Sequence, residues 1–524
     1  MPPSPLTDIT SVSKDVDVFL FGGILSYIYS GTLHVSLDKV QPLYQAADLL
    51  QLDYVRDTCS SYMAMNVERS TCVDLYKFAE VFSMDSVRNH CLQCISKHFV
   101  EVASSEEFCS LSVNQLTEII SHDELDVQEE TIVWEAVVRW VQHSREGRLH
   151  HLPSILPHIR FNLLTSDDTA AILEHILVRE DPGSSKVIRE IIRKGKQSLK
   201  PRLGMTTEMI FLANVANDEI LFMNPREGKY ISCMCEDFPD FLAITVTNNN
   251  DMYILENDRE DISSQLCRYT NELSMFKYNH TENEWDHAGM SSLPASDGKK
   301  FLAEVDRVLY YVDADQKEGS ALVRVRKHNR HLDQWQECSP LQLDGSMDFC
   351  VALSCGSFIY LLMKSALHRY DPSLDCWCER TPPNLMGDSS RFTAVAIGTE
   401  IFCTDRDFTQ TMVYDSELDC WQKLQGWSNP GNLRMNLPPS LFVLENQLHI
   451  YFDIYDSEQR PSIHYFVYVY DRSADAWRDL KATLPDKEYY AHGPPCPVVR
   501  LYLPYLKGAQ IHITSYISQE KCAG

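Results

Sequence analysis

Tyr370-Asp371-Pro372-Ser373-Leu374-Asp375-Cys376-Trp377 is one copy of a phrase that the chain repeats six times between residues 223 and 477. A residue that is usually aromatic is followed by Asp or Asn, and a Trp or Tyr stands seven positions after the start. Tyr414-Asp415…Trp421 and Tyr470-Asp471…Trp477 are equally clean copies, and Tyr278-Asn279…Trp285 keeps the form. His328-Asn329…Trp335 and Met223-Asn224…Tyr230 are worn copies. The Trp positions from 285 to 477 step by 50, 42, 44 and 56 residues. One large aromatic per unit of about 40–50 residues marks a propeller of four-stranded blades. Six phrases predict six blades. A propeller is a platform, so the expected function is holding a partner.

Around these phrases the apolar pattern has period 2. Ala394-Val395-Ala396-Ile397 turns at Gly398 into Ile401-Phe402-Cys403, and Val351-Ala352-Leu353 turns at Gly356 into Phe358-Ile359-Tyr360-Leu361. Phe301–Val312, Ile244–Leu255 and Leu441–Phe452 repeat the pattern. Each unit is read as an inner hairpin, a third strand ending at the Tyr-Asp turn, and a fourth strand carrying the Trp. Tyr230, Tyr278, Tyr370, Tyr414 and Tyr470, with Trp285, Trp335, Trp377, Trp421 and Trp477, are expected to pack between blades. Trp377 and Trp421 should be mostly buried. The ring should close by pairing strands near Val498–Leu503 with those at Ile210–Met223, which removes exposed edges.

The first 200 residues read as helical instead. Leu43, Ala46, Ala47 and Leu50 form one apolar stripe, Leu75, Phe78, Ala79 and Phe82 a second, and Val133, Ala136, Val137 and Trp140 a third. Tyr27-Ile28-Tyr29-Ser30-Gly31 ends a helix on a glycine, and Asp38 stands at a helix start. The basic run from Lys186 through Arg189, Arg193, Lys194, Lys196 and Lys200 to Arg202 reads as a solvated linker helix. Pro201 and Gly204 then mark a boundary. The predicted organisation is 1–65, 66–200 and 205–524.

Composition narrows the function. A chain of 524 residues with 44% hydrophobic and 23% charged residues is multidomain and globular. Its formal charge of −27 argues against nucleic acid, whose phosphates need a basic surface. No apolar run reaches the roughly 18 residues of a membrane span, and Met1-Pro2-Pro3-Ser4-Pro5 is no signal peptide. A cytosolic or nuclear protein with no membrane partner is expected. The 17 cysteines are spread along the chain and read as reduced, buried side chains. Cys91-x-x-Cys94 has no second CxxC near it, so no zinc site is expected.

Several stretches resemble the BTB–BACK–Kelch family, in its kelch-repeat-and-BTB-domain-containing branch. Tyr27–Leu33 and Leu43–Leu52 are similar to the last helices of a BTB domain. Asn66 through Ala79, Glu107-Phe108, Ser121–Leu125, Ala136–Val141 and His151-Leu152-Pro153…Ile159-Arg160 resemble the BACK domain. Lys200–Met205 looks like that branch's entry into its propeller. The kelch double glycine is absent from the propeller, since the only Gly-Gly is Gly22-Gly23. The BTB resemblance begins near Asp8-Ile9-Thr10, about midway through that domain. A poor homodimer and a weakened cullin adaptor are therefore expected, with Phe19, Phe21, Ile24 and Ile28 left uncovered unless residues 1–35 fold back.

The resemblance implies a substrate-recognition adaptor of a cullin-3 ubiquitin ligase, with no cofactor and no catalytic residues. Tyr44, Asp48, Tyr54, Cys72, Leu75, Phe78 and Ala79 are the implied cullin contacts. For Leu75, Phe78 and Ala79 an ordinary core role is the competing reading. The propeller would hold an unknown protein substrate through the rim loops Glu256–Ser274, Asp313–Ser320, Pro382–Arg391, Asp453–Ser462 and Lys487–Tyr490. The alternative is a non-enzymatic kelch scaffold that binds cytoskeletal or signalling proteins without a cullin. An enzyme reading has little to stand on. His280, His368 and His449 have no metal-site spacing, and no phosphate loop, nucleophile elbow or HExxH motif is present.

Overall fold

The computed structural model describes residues 24, 27–194, 199–214, 219–234, 241–260, 268–279, 284–294, 296–317, 319–344, 349–383, 392–426, 439–456, 462–482, 496–502 and 510–513. The chain divides into two compact units, Met1–Thr206 and Thr207–Gly524.

The first unit is helical. Helices α1 (Val40–Leu49), α2 (Asp53–Met65), α3 (Cys72–Val81), α4 (Asp85–Lys97), α5 (Glu130–His143) and α6 (Pro182–Lys194) are its longest elements. The helix ahead of α1 ends at Gly31, whose φ of 71° and N–H bond to the Tyr27 carbonyl (2.8 Å) make the expected left-handed stop. All three predicted apolar stripes face one core, with Phe82 at its edge. Trp140 is buried there and donates its indole N–H to the Leu111 carbonyl at 2.8 Å. Ile24 is fully buried rather than uncovered, because it joins this core, whereas Ile28 is 56% exposed. Phe19 and Phe21 lie outside the described residues.

The basic run needs a correction. Lys186, Arg189 and Arg193 do face solvent on α6. Arg202, however, is fully buried against Glu130. A guanidinium can be taken out of water when a carboxylate and carbonyls satisfy its donors.

The second unit is all β, in six sheets. From the innermost strand outward, blade 1 runs Val498–Leu501, Thr207–Asn214, Glu219–Asn224, Lys229–Met234, with Gln510–Ile513 outside it. Blades 2 to 6 begin with the inner strands Ala243–Val246, Lys299–Val305, Cys350–Cys355, Phe392–Ile397 and Ser440–Leu444. Each of these five continues as an antiparallel meander. The C-terminal strand closes the ring in the expected place, pairing Val498 with Ile210 and Leu501 with Thr207. Inner hairpins turn at positive φ, at Gly356 (57°) and Gly398 (60°) where a glycine is free to adopt it. Apolar side chains of neighbouring blades interdigitate: Phe301 and Val312 of blade 3, for example, share a cluster with Ala352 and Leu361 of blade 4.

Candidate functional site

The repeated phrase is a cross-strand pair on the outer hairpin of every blade. Tyr370 faces Trp377, Tyr414 faces Trp421 and Tyr470 faces Trp477. Tyr278 faces Trp285, His328 faces Trp335 and Met223 faces Tyr230. The Tyr rings are buried, down to 0% exposure for Tyr414, and the Trp rings are half-buried. The Asp or Asn after the first aromatic folds the turn: Asp371 accepts from the Ser373 and Leu374 N–H groups at 2.9 and 3.2 Å.

A third residue completes the device, and the sequence reading overlooked it. Asp375, Asp419 and Asp475, five positions after each Tyr, accept its hydroxyl at 2.6, 2.6 and 2.5 Å. The same Oδ1 atoms accept the Ser339, Thr381 and Gln425 backbone N–H groups at 2.8, 3.1 and 3.0 Å. These donors lie in or beside the segment that follows another blade, so each carboxylate ties one hairpin to a neighbouring stretch of the ring. Trp335, Trp377 and Trp421 add indole N–H bonds to the Ser291, Ser339 and Thr381 carbonyls. The Tyr370 bond, with that of Ser339, holds the Asp375 carboxyl below the usual range. Burial pushes the Asp419 carboxyl up, but bonds from Tyr414 and Thr381 bring it below that range. The Tyr370, Tyr414 and Tyr470 hydroxyls are pushed up by burial and by their Asp partners.

At the centre of the ring lies a cavity of about 530 Å³ lined from the inner strands of all six blades. Its wall is mainly apolar, with Phe241, Phe301 and Phe349 on one side. The Lys299 ammonium sits 4.4 Å from the Phe349 ring centre, and Lys300 donates to the Ser296 and Gly298 carbonyls at 2.6 and 3.0 Å. This volume is within the ordinary range for a ligand or side-chain pocket.

Two of the predicted rim loops are strand in their described residues. At 313–317 and at Ser320 the chain extends the blade 3 hairpin, pairing Asp313 with Arg324 and Lys317 with Ser320. At 453–456 and at Ser462 the chain extends the blade 6 hairpin, pairing Asp453 with Tyr465 and Asp456 with Ser462, while 457–461 lie outside the described residues. Polar composition suggested loops, but in blade 3 the charges meet across strands: Arg324 lies 3.2 Å from Asp313 and 3.7 Å from Asp315. Glu256–Ser274 is likewise strand at both ends. Residues 384–391 and 487–490 lie outside the described residues.

In the helical unit the implied contact residues separate into two groups. Cys72, Leu75, Phe78 and Ala79 are buried, and Tyr44 packs edge-on against Phe78 and Phe82 at 5.8 and 5.3 Å. These five thus offer little exposed surface to a partner, and Tyr44 joins α1 to α3 through its ring contacts. Tyr54 is 63% exposed and stacks on Tyr27 at 5.6 Å. Asp48 is part-exposed and pairs with Arg56 at 2.8 Å. The described cysteines are free thiols, most of them buried. Among the described residues, no three His, Cys, Asp or Glu side chains gather as a metal site, and no helix is long and apolar enough to cross a membrane.

Comparison with known proteins matches the helical unit to two families. The BTB/POZ domain family matches residues 6–67, and BACK (BTB And C-terminal Kelch) matches residues 72–174. Kelch repeat and BTB domain-containing protein 8 of Xenopus tropicalis is 27% identical, covering 91% of this chain and 81% of its own. Protein 2 of the same series, from Homo sapiens, is 24% identical over 93% of this chain and 82% of its own. A crystal structure of TolB from Acinetobacter baumannii matches with a TM-score of 0.36 and 10% identity over 62% of this chain and 73% of its own, too low to add to the fold. A BTB and BACK helical unit followed by a six-bladed ring defines the class: non-identical modules joined in one chain. In both its helical unit and its ring the chain is similar to the BTB–BACK–kelch proteins.

Proposed function

We propose that this protein is a substrate-recognition adaptor of a cullin-3 RING ubiquitin ligase. The helical unit engages the cullin around Tyr54 and Asp48, and the propeller holds the substrate. The chain itself does no chemistry, and it works in the cytoplasm or nucleus. The observation that carries this reading is the pairing of two different modules in one chain, a BTB–BACK helical unit and a closed ring with an open central cavity. A scaffold that binds proteins without a cullin is the second reading. The burial of five of the seven implied contact residues favours it. Precipitation of the full chain from cell extract, probed for endogenous cullin-3, separates the two. Recovery of cullin-3, reduced by Tyr54→Ala, supports the adaptor. A clean ring-dependent set of partners with no cullin-3 supports the scaffold.

A further inference from the structure

The stretch from Leu199 to Met205 crosses the surface of the helical unit just before the first propeller residue. Its attachment is mainly polar, with Met205 alone among its apolar side chains packed against the edge of the core. Among its side chains only Arg202 is buried; Leu203, Gly204 and Met205 are half-exposed, and Leu199 and Lys200 face solvent. Arg202 reaches into the unit and donates to both Glu130 oxygens at 2.7 Å and to the Ile120 and His122 carbonyls at 2.8 and 3.0 Å. Glu130, at the start of α5, also accepts the Arg160 backbone N–H at 3.0 Å. The Arg160 guanidinium, itself 2% exposed, binds Asp123 and the Lys200 carbonyl. Asn162 binds the Leu199 carbonyl at 3.0 Å. Leu203 and Gly204 donate backbone N–H groups to the Asp123 and Leu125 carbonyls at 2.9 and 3.3 Å. Gly204 lies so near Val127 and Asp126 that a Cβ there would collide with their backbone.

We propose that residues 199–205 are a releasable strap, whose one buried side chain, Arg202, is its main fastening to the helical unit. Opening it uncovers little apolar surface of its own, since its one side chain packed on the core, Met205, is already half-exposed. Both ions become hydrated when it lifts, which offsets much of the lost attraction between them. Such a segment opens as a local unit while the helices beneath stay folded. Glu130 and Arg160 have a different role. They remain in the unit when the strap lifts, and Glu130 is the carboxylate of the buried Arg202 guanidinium and a nearby negative charge for Arg160. Fastened, the chain leaves the helical unit at a fixed point, with only Thr206 ahead of Thr207. Released, residues 199–206 lengthen that tether.

Native-state hydrogen exchange on the full chain tests this, comparing wild type with Arg202→Met, Arg202→Lys and Glu130→Gln. Arg202→Met should abolish protection of the Leu203 and Gly204 amides and leave the amides of Val133–Val141 as slow as in wild type. Arg202→Lys, which keeps the charge but not the paired contact, should give partial loss at the same two amides. Glu130→Gln should instead lower protection across the helical unit, because the buried Arg202 guanidinium loses its carboxylate and Arg160 a nearby negative charge. Unchanged protection of Leu203 and Gly204 in Arg202→Met would overturn the proposal. So would loss of protection throughout the unit, or failure of that variant to fold, since Arg202 would then be part of the core.

Discussion

Asp375 shows how much depends on one exposed carboxylate. It satisfies the hydroxyl of Tyr370, which is 1% exposed, and a backbone N–H from beyond its own hairpin. Removing the acceptor leaves a buried donor unpaired, whereas removing the hydroxyl leaves only an exposed carboxylate with other partners. Asp375→Ala should therefore cost about 1–3 kcal/mol and Tyr370→Phe about 1 kcal/mol in urea unfolding of the full chain. The reverse order would count against the tie. Acid should weaken it as well. The Asp375 and Asp419 carboxyls are held below the usual range in the folded chain. Their contribution is present above the unfolded Asp value of about 3.9 and is lost as pH falls through the lower folded value. Propeller stability should decline on that acid limb, and Asp375→Asn should flatten the decline as followed by tryptophan fluorescence. This Asp stands two positions before Trp335, Trp377, Trp421 and Trp477 in the sequence. A carboxylate in a turn reads as solvated, however, and nothing in the one-dimensional pattern points its oxygen at a Tyr. Arg202 escaped for the same reason: a basic run is ordinarily wet.

At the scale of the element, the hairpins were legible because alternation and turn residues agree. Gly356 and Gly398 sit where the chain needs positive φ, and the Tyr and Trp of each phrase face each other across strands as their spacing implies. The extended hairpins of blades 3 and 6 were not legible. Asp313, Asp315 and Arg324 look like loop residues until cross-strand pairing makes them a ladder. The Trp rings proved half-buried rather than core, with the Tyr rings deeper. Trp377→Ala should accordingly cost about 2–3 kcal/mol, below the 3–5 of a fully enclosed ring. Thermal unfolding of Trp377→Ala beside Tyr370→Ala should show the Tyr change to be at least as damaging. A negligible Trp377 effect would contradict the blade packing described here.

For the whole molecule, the ring is fastened by chain ends: Val498–Leu501 supplies the inner strand of a blade whose other three core strands begin at Thr207. A chain ending at residue 495 should leave Thr207–Asn214 as an open edge and expose the buried side chains of Met209 and Phe211. Broadened, multi-step unfolding and self-association on sedimentation are expected. A single sharp transition like that of the full chain would show that closure is dispensable. The division into a helical unit and a ring was plain from the change in period, but the partner-facing surface was not, because core and contact residues share the same apolar pattern on α1 and α3. The most direct measurement is therefore a calorimetric titration of the purified cullin-3 N-terminal domain into the full chain. Saturable binding at micromolar concentration, weakened at least roughly tenfold by Tyr54→Ala as for an exposed aromatic anchor, is the predicted result. Absence of any saturable binding by the folded chain would contradict the adaptor account.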